Sequence, residues 1–522
     1  MNDQPAYSNN EIKEGPSPHR PRPLLDSFIK NVRERPAEPA LIWEREAVTY
    51  GQLHAMASRA RARLQRLGLV EQDAVGILAP KSPQSIALIL ACLMARLRFL
   101  LPPVDLADRT LRALLEQAGC KQVLTPDTGP SAPSVELVDH LVSTRPGASD
   151  PASVALAPDR DDVSFMLTTS GSTGLPKIVP LTVGAVDRFT DWAGDRFDIR
   201  AGKTVLNYAP LNFDLCLLDI WATLKLGGSA VLVDPQRATN AGYLLDLLAS
   251  REVHVIQAVP MLYRLLVDAT RESGQRFDAV EHVIFTGYSI PSRTLMELPR
   301  LFGRARLYNV YGCTETNDSF LHEVEGPVSP GAPIPLGQPL PGVQALIVGE
   351  DDKVLEGVGT GELLVMTPFQ AHGYTDRALN DSKFVGHPEG RDRRRYFRSG
   401  DLVRRHEDGS LTLEGRKDFL VKVRGVGVNM GEIERVLLEH GQVVEAAVVA
   451  VPDPLAGHRL HALVRRASSS ALNSLVLRQH CAERLARAAI PSTLQIVEDP
   501  LPRTSTGKVD RKVIERTRTK GN

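Results

Sequence analysis

Short apolar segments alternate with amphipathic helical segments along the large N-terminal part of the chain, and this alternation constrains the fold most. Residues 74–78 have the pattern of a buried strand, and residues 83–95 have that of a helix. The same order recurs in a strand at 229–233, a helix at 241–250 and a strand at 255–258. Strands that alternate with helices usually pair in parallel, with the helices covering the sheet. The pattern therefore predicts an α/β fold with two parallel-rich, helix-covered sheets.

The chain has 522 residues, which is longer than one domain needs. Its composition and its pattern of predicted elements change at two places. Prolines and glycines become more frequent from Gly337, which is typical of a β-rich subdomain. Beyond Gly415, predicted strands at 419–423, 443–451 and 459–464 mix with helices at 431–439 and 475–487. We predict a disordered tail over 1–22, a large N-terminal domain over 23–414 with its β-rich subdomain at 337–414, and a small, mobile α+β domain over 415–522.

Charge and cysteine content exclude several classes of function. The net charge is +0, so no basic excess indicates a nucleic acid or an anionic membrane as a partner. The cysteines are scattered without a Cys-x-x-Cys pair, which is typical of reduced thiols and not of disulfides or a zinc site. We recognise no signal peptide in the sequence and expect none of its apolar runs to be long enough to cross a bilayer. We expect a cytoplasmic protein.

The stretch from Thr168 to Lys177 combines five hydroxyls, two glycines and one lysine in ten residues. Glycines allow close approach of the backbone to a ligand, while hydroxyls and a lysine offer donors to phosphate oxygens. A plain Ser/Thr/Gly surface turn explains the shorter core equally well. A Walker P-loop does not match, because Gly-Lys-[Ser/Thr] is missing. The full stretch therefore indicates a phosphate-binding loop.

The ten-residue stretch resembles the phosphate loop of the adenylate-forming (ANL) superfamily, which includes acyl-CoA synthetases, luciferases and nonribosomal peptide adenylation domains. Further motifs occur in the order of that family from about Leu24 to the C-terminus. The resemblance implies an enzyme that uses ATP and Mg²⁺. It also implies the following loop residues at the nucleotide: Thr169, Ser170, Gly171, Ser172, Thr173, Gly174 and Lys177.

The segment from Asn309 to Thr316 resembles the adenine and magnesium motif of the family. The resemblance implies that Tyr311 stacks on adenine and that Thr314 contacts the α-phosphate. It further implies that Glu315 holds Mg²⁺, a cation that prefers carboxylate oxygen. Asn309 and Gly312 belong to the same motif. Without the upstream phosphate loop, such a segment is usually only a polar loop.

Arg398–Asp401 and Gly415–Asp418 resemble the ribose motif and the hinge of the family. By this resemblance Asp401 accepts hydrogen bonds from both ribose hydroxyls, and Arg416 reaches the ribose or phosphate. Asp418 would absorb the torsional change that swings the small domain. The chain departs from the family at Leu420 and Asn429, where Gln and Glu are common.

The segment from Pro502 to Val509 resembles the C-terminal catalytic loop. The resemblance places Lys508 between the substrate carboxylate and the α-phosphate during adenylation. A preorganised cation there offsets the repulsion between two anions. Without the motif, a lysine in such a loop is usually solvated.

Residues 212–219 resemble the adenylation motif in which an aspartate after phenylalanine grips the ammonium of the substrate. That aspartate is Asp214, which precedes a predicted helix at 217–226. An N-cap of this helix is the alternative role for Asp214. Asp219, within the helix, is interpreted as structural.

The remaining pocket positions follow from the same resemblance. Four of them form an apolar wall: Leu215, Leu218, Ile284 and Val310. Four others add polarity: Gln257, Thr286, Asp318 and Ser319. Asp318 could meet a second amine or a hydroxyl, or could bind its own loop.

We interpret the chain as a free-standing adenylation enzyme that loads an amino acid, with proline-like and β-amino acids favoured, onto a separate carrier protein with a phosphopantetheine thiol. No carrier segment is recognised in the chain. The alternatives are a coenzyme A ligase for a carboxylic acid without an amine and, remotely, a nucleotide-binding protein without turnover.

Overall fold

The computed structural model describes residues 23–104, 106–126, 136–137, 162–169, 176–329, 332–423, 426–453, 457–467, 470–503 and 509–519. The predicted tail, five residues of the phosphate loop (Ser170, Gly171, Ser172, Thr173 and Gly174) and Lys508 lie outside these ranges.

The strands up to residue 339 form two sheets. They are β1 (Pro39–Trp43), β2 (Glu46–Thr49), β3 (Ala74–Ile77), β4 (Arg98–Leu100), β5 (Cys120–Thr125), β6 (Glu136–Leu137), β7 (Val163–Thr169), β8 (Lys177–Thr182), β9 (Thr204–Asn207), β10 (Ser229–Leu232), β11 (Val255–Ala258), β12 (His282–Phe285), β13 (Arg306–Cys313), β14 (Asn317–Val324) and β15 (Gln338–Pro339).

Helices connect and cover these strands. They are α1 (Pro23–Glu34), α2 (Tyr50–Arg66), α3 (Pro83–Met94), α4 (Asp108–Gln117), α5 (Val183–Arg196), a π-helix (Leu217–Ala222) that continues into α6 (Thr223–Leu226), α7 (Ala241–Ser250), α8 (Pro260–Thr270) and α9 (Ser292–Leu301).

Among the described residues, the larger sheet has the strand order β15-β14-β13-β12-β11-β9-β10-β1-β2 and the smaller one β6-β5-β3-β4-β7-β8. The six strands from β13 to β1 pair in parallel, and antiparallel strands lie at both edges. The smaller sheet is parallel from β5 to β7. These sheets confirm the predicted α/β class.

Helix α3 is apolar around its whole circumference, as expected for a helix buried on all sides. Ten of its residues are buried, and the eight from Ile86 to Leu93 share one apolar core with both sheets. Phe165 of β7 packs edge-on against Phe99 of β4 and against Trp221 of the π-helix, with ring centroids 4.7 and 5.5 Å apart. This shared core fixes the segment that carries Asp214 relative to both sheets.

The β-rich region forms an antiparallel sheet. Its elements are β16 (Gln344–Val348), β17 (Gly359–Met366), α10 (Arg377–Lys383), β18 (Phe384–Val385), β19 (Tyr396–Arg405) and β20 (Leu411–Arg416). The sheet has the order β16-β17-β19-β18, and β20 pairs with β19. Strand β20 continues to Arg416, two residues past the predicted boundary at 414.

The C-terminal elements form a smaller α+β unit. They are β21 (Leu420–Val423), β22 (Val426–Asn429), α11 (Met430–Glu439), β23 (Val443–Asp453), β24 (Gly457–Arg466), α12 (Ser474–Ala482), β25 (Thr493–Val497) and α13 (Arg511–Thr519). A three-stranded sheet, β23-β24-β25, packs against α11 and α12. Arg293 of α9 donates a 2.8 Å hydrogen bond to the Gly441 carbonyl, and Arg264 of α8 donates to that of Val444. These bonds join the two lobes.

Two predicted helices differ from the observed elements. The helix expected at 217–226 is a π-helix over its first six residues, and such turns are frequent at functional sites. The helix expected at 475–487 ends at Ala482, and a 3₁₀ turn follows at Arg487–Ala489. Pro491 stands just beyond that turn, where it disfavours helical backbone in the residue before it.

Candidate active site

The predicted substrate residues gather at the carboxyl ends of the central parallel strands of the larger sheet. Gln257 of β11 lies opposite Ile284 of β12, and Ile284 lies opposite Tyr308 of β13, two residues before Val310. Thr286 follows the end of β12. Ligands bind α/β sheets at this edge, so the register brings together residues that are far apart in sequence.

Most of this group is closely packed. Leu218, Ile284 and Ser319 are 0% exposed, while Val310 and Thr286 are 2% and 5% exposed. Leu215 and Asp214 are only partly buried. The hydroxyl of Ser319 lies 3.2 Å from that of Thr316 and donates to the Asn317 carbonyl at 3.3 Å. The hydroxyl of Ser319, predicted to line the substrate pocket, therefore makes its hydrogen bonds within its own turn.

Asp214 lies in the turn before the π-helix. Its backbone carbonyl accepts a 2.8 Å hydrogen bond from the Leu217 amide. Cys216 occupies the N-cap position of the helix, and its own side chain makes no capping hydrogen bond. Asp214 therefore lies two residues before the N-cap.

A buried ionic group lies beneath this turn. Lys81 is 4% exposed and donates to the backbone carbonyls of Asn207 and Tyr208, at 3.1 Å each. Asp219 is 0% exposed and accepts a 3.1 Å hydrogen bond from the side chain of Asn207. Burial lowers the pKa of Lys81 to about 8 and raises that of Asp219 well above its usual range. The charge of each group opposes the effect of burial on the other without outweighing it.

Gln257 belongs to the same group. In the amide orientation that satisfies its neighbours, its nitrogen donates to Asp219 Oδ1 at 3.0 Å and to the Leu215 carbonyl at 3.3 Å. The sequence prediction gave Gln257 a polar contact with the substrate. The structure instead shows its amide engaged by the protein, and Asp219 has the structural role expected for it.

On the nucleotide side, Asp401 holds two of the predicted residues. Tyr311 donates its hydroxyl to Asp401 Oδ2 at 2.5 Å, and Arg416 contacts Asp401 Oδ1 at 3.0 Å. Arg416 also pairs with Asp418 at 2.9 Å. Burial lowers the pKa of Arg416, but the charges of Asp401 and Asp418 outweigh it and raise the pKa overall. Arg416 therefore pairs both with Asp401, the residue predicted to bind the ribose, and with Asp418, the predicted hinge residue.

Gly312 permits a tight turn beside these groups. A Cβ atom at this position would lie 2.4 Å from the Asn317 carbonyl oxygen, so any larger residue would displace the backbone. Asn309, three residues earlier, donates to the Pro335 carbonyl at 2.8 Å. The motif is therefore held by backbone contacts on both sides.

Glu315 follows strand β13 and is buried beside Thr169, where strand β7 of the phosphate-loop hairpin ends. Its Oε1 accepts hydrogen bonds from Tyr374 at 2.5 Å and from Thr169 at 3.5 Å. Lys177 pairs with Thr169 across the hairpin, and its Nζ lies 5.5 Å from the Tyr374 ring centroid. Burial lowers the pKa of Lys177, although the charge of Glu315 opposes this.

The carboxylate of Glu315 fits a magnesium ion. Hydrogen bonds from the described residues reach only Oε1, which leaves Oε2 as a hard oxygen ligand. The described part of the chain contains no cluster of three potential ligands from His, Cys, Asp or Glu. Magnesium is commonly held by one or two carboxylates together with substrate phosphates, so one protein ligand is consistent with this ion. Thr314, the predicted α-phosphate contact, is partly exposed beside it.

The loop that contains Lys508 is anchored at both ends. Arg503 forms an antiparallel bridge with Val509, and it also pairs with Glu445 at 2.8 Å. Burial raises the pKa values of Tyr208 and Tyr288 to about 12, and the nearby charge of Arg503 opposes this rise in both. The base of the loop therefore faces the edge of the larger sheet where the pocket lies.

The two departures from the family also have positions in the structure. Asn429 donates to the Glu414 carbonyl at 2.8 Å and caps α11 by accepting from the Gly431 amide. Leu420 is 44% exposed. Asn429 thus connects the small unit to strand β20.

Sequence reasoning missed two residues of the site. Tyr374 contacts Glu315 from a position 59 residues away, and Lys81 contacts Asn207 across 126 residues. For Lys81, one available signal was the lone lysine between the strongly apolar segments of β3 and α3. No such signal marks Tyr374.

Within the described ranges, no helix combines the length and apolarity that a membrane span requires.

Comparison with known proteins identifies the family. Residues 28–375 match the model described as "AMP-binding enzyme", and residues 432–508 match "AMP-binding enzyme C-terminal domain". An L-proline–[L-prolyl-carrier protein] ligase from Pseudomonas fluorescens is 30% identical, over 94% of this chain and 99% of that one. A D-alanine–D-alanyl carrier protein ligase from Bacillus licheniformis is 26% identical, over 94% and 98%.

A solved structure gives the same result. A four-domain nonribosomal peptide synthetase bound to AMP and glycine is 25% identical, covers 94% of this chain and 36% of its own, and superposes with a TM-score of 0.77. The chain therefore belongs to the family of AMP-binding enzymes and is an adenylating ligase that uses ATP, with Mg²⁺ as the usual ion of the family.

Proposed function

We propose that the chain converts an amino acid into its aminoacyl adenylate and then transfers the acyl group to the phosphopantetheine thiol of a separate carrier protein. The observation that carries this proposal is Asp214, a partly buried carboxylate beside an apolar wall at the strand ends. A carboxylate at this place attracts a cation more strongly than one in bulk water, because the effective dielectric constant beside the protein is lower. The ammonium group of an amino acid supplies that cation, and relatives named as carrier protein ligases support the acceptor.

In the first half-reaction, a carboxylate oxygen of the amino acid attacks the α-phosphorus of ATP, and pyrophosphate leaves. Asp214 holds the ammonium and fixes the direction of the carboxylate, while Asp401 holds the ribose. Thr314 binds the α-phosphate, and Glu315 offers Oε2 to Mg²⁺, which supplies charge neutralisation at the phosphates when bound. Lys508 stabilises the negative charge between the two reacting anions. Positioning and electrostatics therefore account for most of the catalysis.

In the second half-reaction, the carrier thiol attacks the acyl carbonyl, a thioester forms and AMP leaves. We propose that rotation at Asp418 removes Lys508 beforehand and admits the thiol. The ion pair between Arg416 and Asp418 would break or re-form during this rotation. A hinge of this kind needs only a few residues that absorb backbone torsion.

ATP–pyrophosphate exchange across a panel of α- and β-amino acids tests the first step. We expect exchange with at least one small amino acid, and none with the matched acids that lack an amine, such as butyrate and propionate. Exchange with the amine-free acids alone would contradict the proposal and indicate an acyl ligase. Transfer to a phosphopantetheinylated carrier, compared with coenzyme A, tests the acceptor.

Asp214→Asn is expected to lower kcat/KM for the best amino acid by about 10²-fold, because truncating one partner of a buried charge pair costs at least 2 kcal/mol. The variant keeps the shape of the side chain and removes only its charge. Asp195→Asn, on the surface of α5, is the matched control and should change nothing. Unchanged exchange in Asp214→Asn would remove Asp214 from the binding site.

A further inference from the structure

Asp318 is a buried carboxylate without a complete set of partners. It lies at the start of β14, opposite Gly312, and its side chain is 8% exposed. Its Oδ2 is buried and has no hydrogen-bond partner among the described residues. The neighbouring hydroxyls of Thr316 and Ser319 bond to each other and to the Asn317 carbonyl. Asp318 Oδ2 is therefore not satisfied by its own loop.

The charges around Asp318 do not compensate it. Burial first, and then the charge of Asp214, raise the pKa of Asp318 to about 8. The third acid nearby, Asp219, interacts with Lys81, Asn207 and Gln257. Two carboxylates, Asp214 and Asp318, thus lie close enough to repel each other, and the described residues predicted for the substrate pocket include no basic side chain.

We propose that the substrate is a small diamino carboxylic acid, whose two ammonium groups are bound separately by Asp214 and Asp318. This inference rests on the proposed function and names its substrate class. A buried carboxylate oxygen without a donor is unfavourable, and a second ammonium group supplies both the donor and the charge. The proposal is compatible with an amine at either the α- or the β-position. The short apolar stem between the two amines would pack against Leu215.

A monoamino acid of equal size can pair with only one of the two carboxylates. Its single ammonium pairs with Asp214, and Asp318 Oδ2 then lacks a partner. Sites built around a polar group of the substrate reject analogues that lack this group by large factors. Proline, named for one relative of the chain, has one amine and belongs to this incomplete class.

The test compares isosteric pairs in ATP–pyrophosphate exchange. The pairs are 2,3-diaminopropionate with 2-aminobutyrate, 2,4-diaminobutyrate with norvaline, and ornithine with norleucine; proline, β-alanine and homoserine complete the panel. We expect kcat/KM for the best diamino acid to exceed that of its monoamino partner by about 10²-fold or more. Preference for a monoamino or hydroxy amino acid would overturn this inference and leave the proposed function intact. No exchange with any amine-bearing acid would defeat the proposed function itself.

Asp318→Asn separates binding from folding. The isosteric variant is expected to lose about 10²-fold in kcat/KM for the diamino acid and to keep or improve its exchange with the monoamino partner. The retained exchange also shows that the pocket has folded. An equal loss with both substrates would assign Asp318 a structural role and overturn the proposal.

Stability against pH gives an independent readout. The native pKa of Asp318, about 8, lies above the ordinary aspartate value of 3.8, so the native state holds a proton that the unfolded chain has released between these values. Stability conferred at this site therefore falls as pH rises through that window and is level above it. In urea unfolding without substrate, Asp318→Asn should gain stability over the wild type from pH 5 to pH 8.5. An equal difference at both pH values would show that Asp318 is already compensated.

Discussion

Lys508→Ala is expected to lower the rate of adenylate formation by about 10²–10³-fold, the usual loss when one preorganised charge is removed from a transition state. The same variant should transfer the acyl group from preformed adenylate to the carrier thiol at close to the normal rate. The reason is that Lys508 serves only the step in which a carboxylate approaches the α-phosphate. Pyrophosphate exchange measures the first step, and single-turnover thioester formation measures the second.

The control for Lys508 is Lys512→Ala, which changes a lysine four residues further along the chain, in α13. It should leave both half-reactions unchanged. Because Arg503 and Val509 close the loop at its base, Lys508→Ala is not expected to unfold the small domain. If both steps fell together in Lys508→Ala, the assignment of this lysine to adenylation alone would be wrong.

The parts of this site that depend on local pattern were predictable. Alternating strand and helix segments predicted the two parallel-rich sheets, and the strand ends then brought Gln257, Ile284 and Val310 into one region. The predicted sheets follow from burial and periodicity, which are local properties of the sequence. The motif around Glu315 also follows the carboxyl end of strand β13, which is where α/β sheets bind their ligands.

The parts that depend on pairing across the chain were not predictable. Nothing local to Gln257 indicates that its amide binds Asp219, and nothing local to Arg416 indicates that it bridges Asp401 and Asp418. Such contacts depend on which side chains the fold brings together, and hydrogen-bond geometry decides them within a few tenths of an ångström. The π-helix at Leu217 was missed because its local pattern is that of an α-helix.

Lys81→Met is expected to lower the unfolding free energy of the large lobe by about 3–5 kcal/mol, because two buried hydrogen bonds from a charged donor are lost, each contributing about 1.5–3 kcal/mol. The variant keeps most of the volume and removes the lysine donor from the Asn207 and Tyr208 carbonyls. The loss should also reach the pocket, since those carbonyls lie at the end of β9, just before the turn that carries Asp214. All three tryptophans lie in this lobe, so tryptophan fluorescence during urea unfolding reports the transition directly.

Two further variants decide whether this loss comes from the hydrogen bonds of Lys81 or from its charge. Lys30→Met breaks a 4.0 Å ion pair with Glu34 in which the two side chains are 69% and 52% exposed, and exposed pairs contribute at most about 1 kcal/mol. The double variant Lys81→Met/Asp219→Leu also removes the Asp219 carboxyl, and it should recover little of the loss, because the hydrogen bonds to the backbone stay broken. If the double variant recovered most of the loss, then Lys81 would act by compensating Asp219 and not through its backbone hydrogen bonds. Recovered stability without recovered exchange would also show that the lysine positions the Asp214 turn, because only the carbonyl contacts at Asn207 and Tyr208 remain unreplaced.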